Sequence, residues 1–271
     1  MFKKRVNERF KNNVHMVEGN VTFQKIQLNT ISFATDGIII DAAAASVKSL
    51  FTPFWEKHNI DGLYCTHIHE DHTGCASWFE NERGVPIFLN ERSLSEAKRR
   101  GSYPLYRRLY WGTRLPFSPI SMPERFESRR SKWRSIHTPG HSYDHTSLLN
   151  ESTGQLFSGD LYVQTKTKVV MKSESIPTII DSLRKVLQFE FDDVFCSHAG
   201  YLPRGRTNLL NKLQYLQEIQ ENVLTLHKQG LSTKDIQRRL FSRKYPITFF
   251  SYGQWDSKHM ITSILKEASS T

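Results

Sequence analysis

The stretch Thr66-His67-Ile68-His69-Glu70-Asp71-His72-Thr73-Gly74 places three histidines and an aspartate within six residues, and it constrains the chain more than any other feature. Side chains of an extended segment alternate sides, so His67 and His69 project the same way and can share one cation. Asp71 and His72, where the chain turns, can face a second. Asp61 to Thr66 before the box reads as a short buried strand, and Gly74 to Phe79 after it as the first turns of a helix. The box therefore sits on a strand-to-helix loop. Neutral imidazole and carboxylate are donors that zinc prefers, with manganese and iron compatible with the same set. A polar loop with scattered histidines is the bland alternative. Four ligand-type side chains in six residues, behind an apolar strand, argue against it.

The box resembles the His-x-His-x-Asp-His signature of the metallo-β-lactamase superfamily, and stretches similar to that family's other motifs follow in order. Thr138-Pro139-Gly140-His141 resembles the motif whose histidine completes the first metal's set, which implies His141. Leu156 to Asp160 resembles the strand-end Gly-Asp whose carboxylate bridges two metals, which implies Asp160. Val194 to His198 matches the strand that ends in the last ligand of the second metal, which implies His198. Gly37 to Asp41 resembles an early strand ending in a supporting aspartate, although Ala42 and Ala43 follow where a small residue and glycine are usual. Asp41 and His137 are expected to brace the ligands.

The resemblance covers about residues 14 to 200. It implies an αββα sandwich, two zinc ions per chain, and hydrolysis of an ester, thioester or lactone by a hydroxide that bridges the ions and is oriented by Asp71. A phosphodiesterase or nuclease on the same metals is the first alternative, a mononuclear iron dioxygenase the second, and a metal-bound regulator without catalysis the third. His145, four residues beyond His141, is expected to meet substrate as in glyoxalase II-like members, although Asp144 stands where those have glycine.

Residues 1–200 are thus expected to form the catalytic domain and 201–271 a small helical extension. In the first part, Val14–Val17, Val21–Ile26 and Ile31–Ala34 read as an antiparallel meander punctuated by Gly19-Asn20 and Asp36-Gly37. In the second, Leu209, Leu210, Leu213, Leu216, Ile219, Val223 and Leu226 form one helical stripe, Gly230 stops it, and further helices start near Ser232 and Ser257. The N-terminus is basic but has no apolar segment behind it, and no run approaches the roughly 18 apolar residues of a membrane span. Cys65, Cys75 and Cys196 show no paired spacing. These features point to a cytoplasmic protein with no membrane association; oligomeric state is not legible.

One more segment stands out by composition. Lys98 to Arg134 holds eleven basic and two acidic residues, a net +9 in a chain of net +10, interleaved with aromatics. Localised charge of this kind raises the local concentration of anions. The expectation is that this insertion borders the substrate entrance and selects an anionic small molecule, or less readily nucleic acid, with Arg107, Arg108 and Tyr110 in contact. The competing reading is a solvated basic surface whose aromatics pack it down.

Overall fold

The computed structural model describes residues 2–23, 25–243 and 245–269. Its first sheet runs, in spatial and chain order, β1 (Lys3–Lys11), β2 (Val14–Phe23), β3 (Ile26–Thr35), β4 (Ile38–Ile40), β5 (Gly62–Tyr64), β6 (Ile87–Leu89) and β7 (Ile120–Ser121). The hairpins β1 to β4 are antiparallel, and β4 to β7 are parallel because helical segments, including Lys48–Glu56, carry the chain back between them.

The second sheet contains β8 (Arg125–Glu127), β9 (Lys132–His137), β10 (Thr146–Asn150) and β11 (Gln155–Gly159). After the short β12 (Val170–Met171) it is completed by β13 (Asp193–Cys196), parallel to β11, and by β14 (Gly200–Leu202). A last strand, β15 (Trp255–Asp256), pairs with β12 and so ties the C-terminal helices to the metal half of the chain.

Three apolar clusters make this a four-layer sandwich. Between the sheets lie Val14, Met16, Ile31, Phe33 and Ile40 from one side and Trp133, Leu148, Phe157 and Phe195 from the other. The first sheet's outer face is covered by Phe51, Phe54, Trp55, Trp78 and Phe79. The second is covered by Ile176–Val186, Gly205–Lys228, Thr233–Leu240 and Lys258–Ala268, whose Leu183, Leu209, Leu216, Val223, Ile236 and Ile261 are buried. The expected αββα architecture with a helical C-terminal segment is observed. It follows from sheets and helices each having one apolar face to cover.

One part of the meander differs from its sequence reading. Gly19-Asn20 is no turn: β2 runs straight through it, paired with β1 and β3 on either side. A Cβ on Gly19 would meet the Phe51 ring at 2.5 Å, so the glycine marks where a helix packs against the sheet. The hairpin turn lies instead at Asn12-Asn13, both at positive φ, a conformation asparagine tolerates. Asp36-Gly37, also at positive φ, is the turn the sequence suggests.

Candidate metal centre

The clustered side chains come off the carboxyl ends of β5, β9, β11 and β13. His67, His69, Asp71 and His72 follow β5; His141 follows β9; Asp160 follows β11; His198 follows β13. Beyond its last ladder pair the metal loop is held by its backbone. Thr66 N donates to Asp41 Oδ1 at 2.8 Å, and Ile68 N, between two of the histidines, donates to Asp144 Oδ2 at 2.8 Å. Gly74 completes the turn where no side chain fits, since a Cβ there would collide with the Ala45 backbone nitrogen.

The imidazoles are aimed by what binds their outer nitrogens. His72 Nδ1 donates to Asp41 Oδ2 at 2.8 Å, His198 Nδ1 to the Asn29 carbonyl at 2.7 Å, and His141 Nδ1 faces Glu174 Oε2 at 3.2 Å. Each contact holds the ring by Nδ1 and turns Nε2 inward. Asp41 is fully buried at φ +58, and it also accepts from the hydroxyls of Thr66 and Ser197. Strained backbone of this kind persists only where the surroundings over-determine it.

Inward-facing atoms converge in three overlapping sets: His67, His69 and His141; His67, His72 and Asp160; and Asp71, His72 and His198, each with its ligand-type atoms within 4.8 Å of one another. Asp160 spans the sets. Its Oδ2 lies 3.0 Å from His198 Nε2 and 3.3 Å from His141 Nε2, while Oδ1 lies 3.4 Å from His72 Nε2. His72 Nε2 and Asp160 Oδ1 are buried and lack any hydrogen-bond partner among the described residues. An orphaned buried pair of this kind is costly, and a cation seated between the two atoms would satisfy both. The donors present therefore fit a divalent metal.

Burial keeps His67 and His69 neutral, their pKa held well below the ordinary value, with the neighbouring imidazoles adding to the effect. Burial also acts against charge on His198, but Asp160 and Asp71 override it and raise its pKa to about 9. A metal entering there would displace that proton, as ligand imidazoles must be neutral.

These groups floor a cavity of about 580 Å³. Its walls are Ile26 and Leu28 from β3, Tyr106 and Trp111 from the helix Leu105–Trp111, Val169 and Met171 from the segment after Asp160, and Tyr245, Ile247 and Trp255 from the C-terminal segment. Tyr106 Oη donates to the Gln254 side chain, joining two of these walls.

The seven residues expected as ligands are thus brought together, with Asp41 behind His72. His137 is elsewhere: its Nε2 binds the Tyr143 carbonyl at 2.9 Å and it braces no ligand. His145 does not face the cavity. It is fully buried, its Nδ1 meets Thr138 Oγ1 at 2.8 Å, and its Nε2 accepts from the Asp160 backbone N–H at 2.9 Å. Burial lowers its pKa to about 3, so the acceptor nitrogen stays bare, and Gly159 is needed because a Cβ would approach that nitrogen at 2.5 Å.

Of the insertion residues, only Arg107 reaches the cavity among those expected at substrate, and it is already engaged. Its Nε and second guanidinium nitrogen bind the fully buried Glu70 carboxylate at 2.5 and 2.6 Å. Arg108 is exposed outside the cavity. Tyr110 is buried, its hydroxyl donating to the Ile26 carbonyl at 3.2 Å. The sequence reading misses Glu174 and Asn29. Glu174 lies in an ordinary polar run, and Asn29 acts through its carbonyl, so neither carries a local signal.

Fold and site together define a metallo-β-lactamase-type sandwich with a cluster of residues that fits divalent metal. Residues 34–198 match the family described as the metallo-beta-lactamase superfamily, and the chain belongs to it. A Drosophila melanogaster relative named Beta-lactamase-like protein 2 homolog is 24% identical over 217 residues, 78% of this chain and 70% of its own length. A Passalora fulva relative named atrochrysone carboxyl ACP thioesterase is 23% identical over 214 residues, and this chain spans 76% of itself but only 58% of that relative. Among solved structures, a beta-lactamase domain protein from Burkholderia ambifaria shares the fold at TM-score 0.69 and 18% identity, covering 96% of this chain and 88% of its own. A metallo-beta-lactamase family protein from Thermus thermophilus does so at TM-score 0.68 and 18% identity, covering 95% and 94%. No helix among the described residues is long and apolar enough to cross a membrane.

Proposed function

We propose that this chain is a binuclear zinc hydrolase that cleaves an acyl bond, a thioester before an ester or lactone, in a substrate with an apolar acyl part. The observation that carries it is Asp160, whose Oδ2 lies 3.3 Å from His141 of one histidine set and 3.0 Å from His198 of the other, at the floor of the cavity. His67, His69 and His141 would hold one ion, Asp71, His72 and His198 the other, with Asp160 between them. Bound there, divalent ions supply an acidified water and a polarised substrate oxygen.

The chain's own residues do the rest. The apolar walls exclude bulk water and seat the acyl group. Asp71, which lines the cavity 3.5 Å from His198 Nε2, orients the attacking water through its carboxylate. The water oxygen bonds to the carbonyl carbon, the carbon–sulfur bond breaks, and the thiol leaves with a proton. No serine, threonine or cysteine lines the cavity among the described residues, which favours direct attack by water over an acyl-enzyme. The thioesterase name of two fungal relatives supports the choice of thioester. The phosphodiesterase reading is weaker because Arg107, Arg114, Arg129, Arg130 and Arg134 of the insertion are engaged within the fold.

Elemental analysis of the purified protein, combined with turnover of acyl thioesters, nitrophenyl esters, a lactone and bis-nitrophenyl phosphate, tests the reading. Two zinc per chain with thioester preference is expected. A single iron, or preference for the phosphodiester, overturns it.

A further inference from the structure

The metal cavity does not end at its apolar walls. Tyr245 and Val169 line it and also line a second groove of about 610 Å³ built from the C-terminal helices. Two cations sit on the Tyr245 ring where the spaces meet: Lys168 Nζ lies 5.8 Å from its centroid and the Arg243 guanidinium 5.5 Å. Lys168 lines the metal cavity and Arg243 the groove. Among the described residues neither has a carboxylate within ion-pair distance, and the carboxylates lining the metal cavity are Asp71 and Asp160 alone. Cations gathered on one ring without acidic partners form a place for an anion.

The groove beyond has the make-up of a base site. Phe249 is 67% exposed and Tyr252 95%, with Lys234 beside them and Arg238 paired to Asp235 at the groove's edge. Its one lining carboxylate, Asp256, already accepts from Gln237 Nε2 at 2.6 Å and from Lys258 N at 2.9 Å. Exposed aromatic faces beside cations are what a nucleobase next to phosphates requires.

We propose that the thiol half of the substrate is a nucleotide-bearing thiol of the coenzyme A class. Its acyl group and thioester enter the metal cavity, its diphosphate meets Lys168 and Arg243 at Tyr245, and its nucleoside lies against Phe249 and Tyr252. The acyl half rests on the thioester reading above, while the nucleotide half rests on these two cations and two rings. A pantetheine arm attached to a carrier protein offers the same phosphate without the nucleoside, so the two sources separate by experiment.

Calorimetric titration of the metal-loaded protein with coenzyme A, 4′-phosphopantetheine and pantetheine tests this. All three carry the same thiol, so its attraction to metal cancels in their differences. Coenzyme A is expected to bind about tenfold more tightly than phosphopantetheine and that in turn more tightly than pantetheine. Lys168→Ala with Arg243→Ala lowers affinity for both phosphate-bearing ligands about tenfold, and Tyr252→Ser lowers it for coenzyme A alone. These positions are exposed, so circular dichroism is expected to show intact folding. Equal affinity for all three ligands overturns the proposal. Equal affinity for coenzyme A and phosphopantetheine overturns its nucleoside half and points to the carrier-bound arm. The pattern holding without thioester turnover sinks the hydrolase reading and leaves the site standing.

Discussion

The metal loop and the Lys98–Arg134 insertion are equally conspicuous in the sequence, one for its histidines and the other for its charge, yet they behave differently in three dimensions. The loop's His67, His69, Asp71 and His72 converge within a few ångströms on His141, Asp160 and His198. The insertion's arginines disperse. Arg107 goes to Glu70, Arg114 to the carbonyls of Ala97 and Glu96, Arg129 to Asp61, Arg130 to Asp36 and Arg134 to Glu151. Ligand spacing along a short loop carries geometry because few rotatable bonds separate the donors. Net charge carries none, because a long cation can reach whichever carboxylate or carbonyl the fold brings near, or stay in solvent as Arg108 does.

The largest expected effect lies on the loop side. Asp160→Ala removes the carboxylate shared by both histidine sets. Metal content is expected to fall from two ions toward one or none, and turnover by about three orders of magnitude or more. Retention of two tightly held ions by this variant, measured by elemental analysis, would mean the convergence at Asp160 is incidental.

On the insertion side the sharper test is stability. Arg107 and Glu70 form a buried bidentate pair, with Glu70 fully excluded from solvent. Removing one partner of such a pair costs about 3–5 kcal/mol because the other charge is left buried. Arg107→Ala is therefore expected to lower the urea midpoint strongly, and Glu70→Gln in the same chain to restore part of the loss. Exposed Arg108→Ala should stay within about 0.5 kcal/mol of the parent. Loss of anionic-substrate affinity at full stability in Arg107→Ala would return that residue to the role its charge first suggested.

Lys212 extends the same contrast to the C-terminal helices. The sequence shows it only as a cation beside an apolar stripe. In the fold it is buried on the helix Gly205–Lys228 and donates from Nζ to the carbonyls of Leu161 and Tyr162, the turn directly after Asp160. Burial lowers its pKa from 10.5 to about 8. Below pH 8 both folded and unfolded chains carry the charge and the cost of burying it is fully present. Between about 8 and 10.5 the folded chain is neutral there while the unfolded chain still binds the proton, so stability gains with rising pH, by up to about 3 kcal/mol. The stability of the parent relative to Lys212→Met should rise across that window. A flat difference would mean the amine is neutral or solvated throughout.

What was legible divides along the same line. The long helix and the crowding of donor side chains on the metal loop could be read because periodicity and short spacings are local properties of the chain, whereas the sandwich and the places of His141, Asp160 and His198 rest on the family resemblance. The second groove, the Gly19 packing contact and the true place of His145 could not. Each depends on which distant segment arrives opposite: Phe51 over Gly19, the Asp160 backbone N–H at His145 Nε2, the Tyr245 ring beneath Lys168.

Glu174 is the strongest case of a contribution that only the fold reveals, and it gives the finest test. Its Oε1 accepts from Met171 N at 2.7 Å while Oε2 faces His141 Nδ1 at 3.2 Å, so one carboxylate fixes both a wall of the cavity and the direction of the His141 ring. Burial acts against charge on His141, but Glu174 and then Asp160 override it and raise its pKa. Partners in this position increase ligand basicity as well as orientation, and losing one weakens metal binding about 10–100-fold. Glu174→Ala should lower zinc affinity by that factor in competition with a chelator. Glu174→Gln, which can still accept from Nδ1 but without charge, should fall between that variant and the parent. If both variants hold zinc as the parent does, the aim of His141 is set by the Thr138–His141 loop alone, and sequence spacing would account for more of this centre than the contrast with the insertion allows.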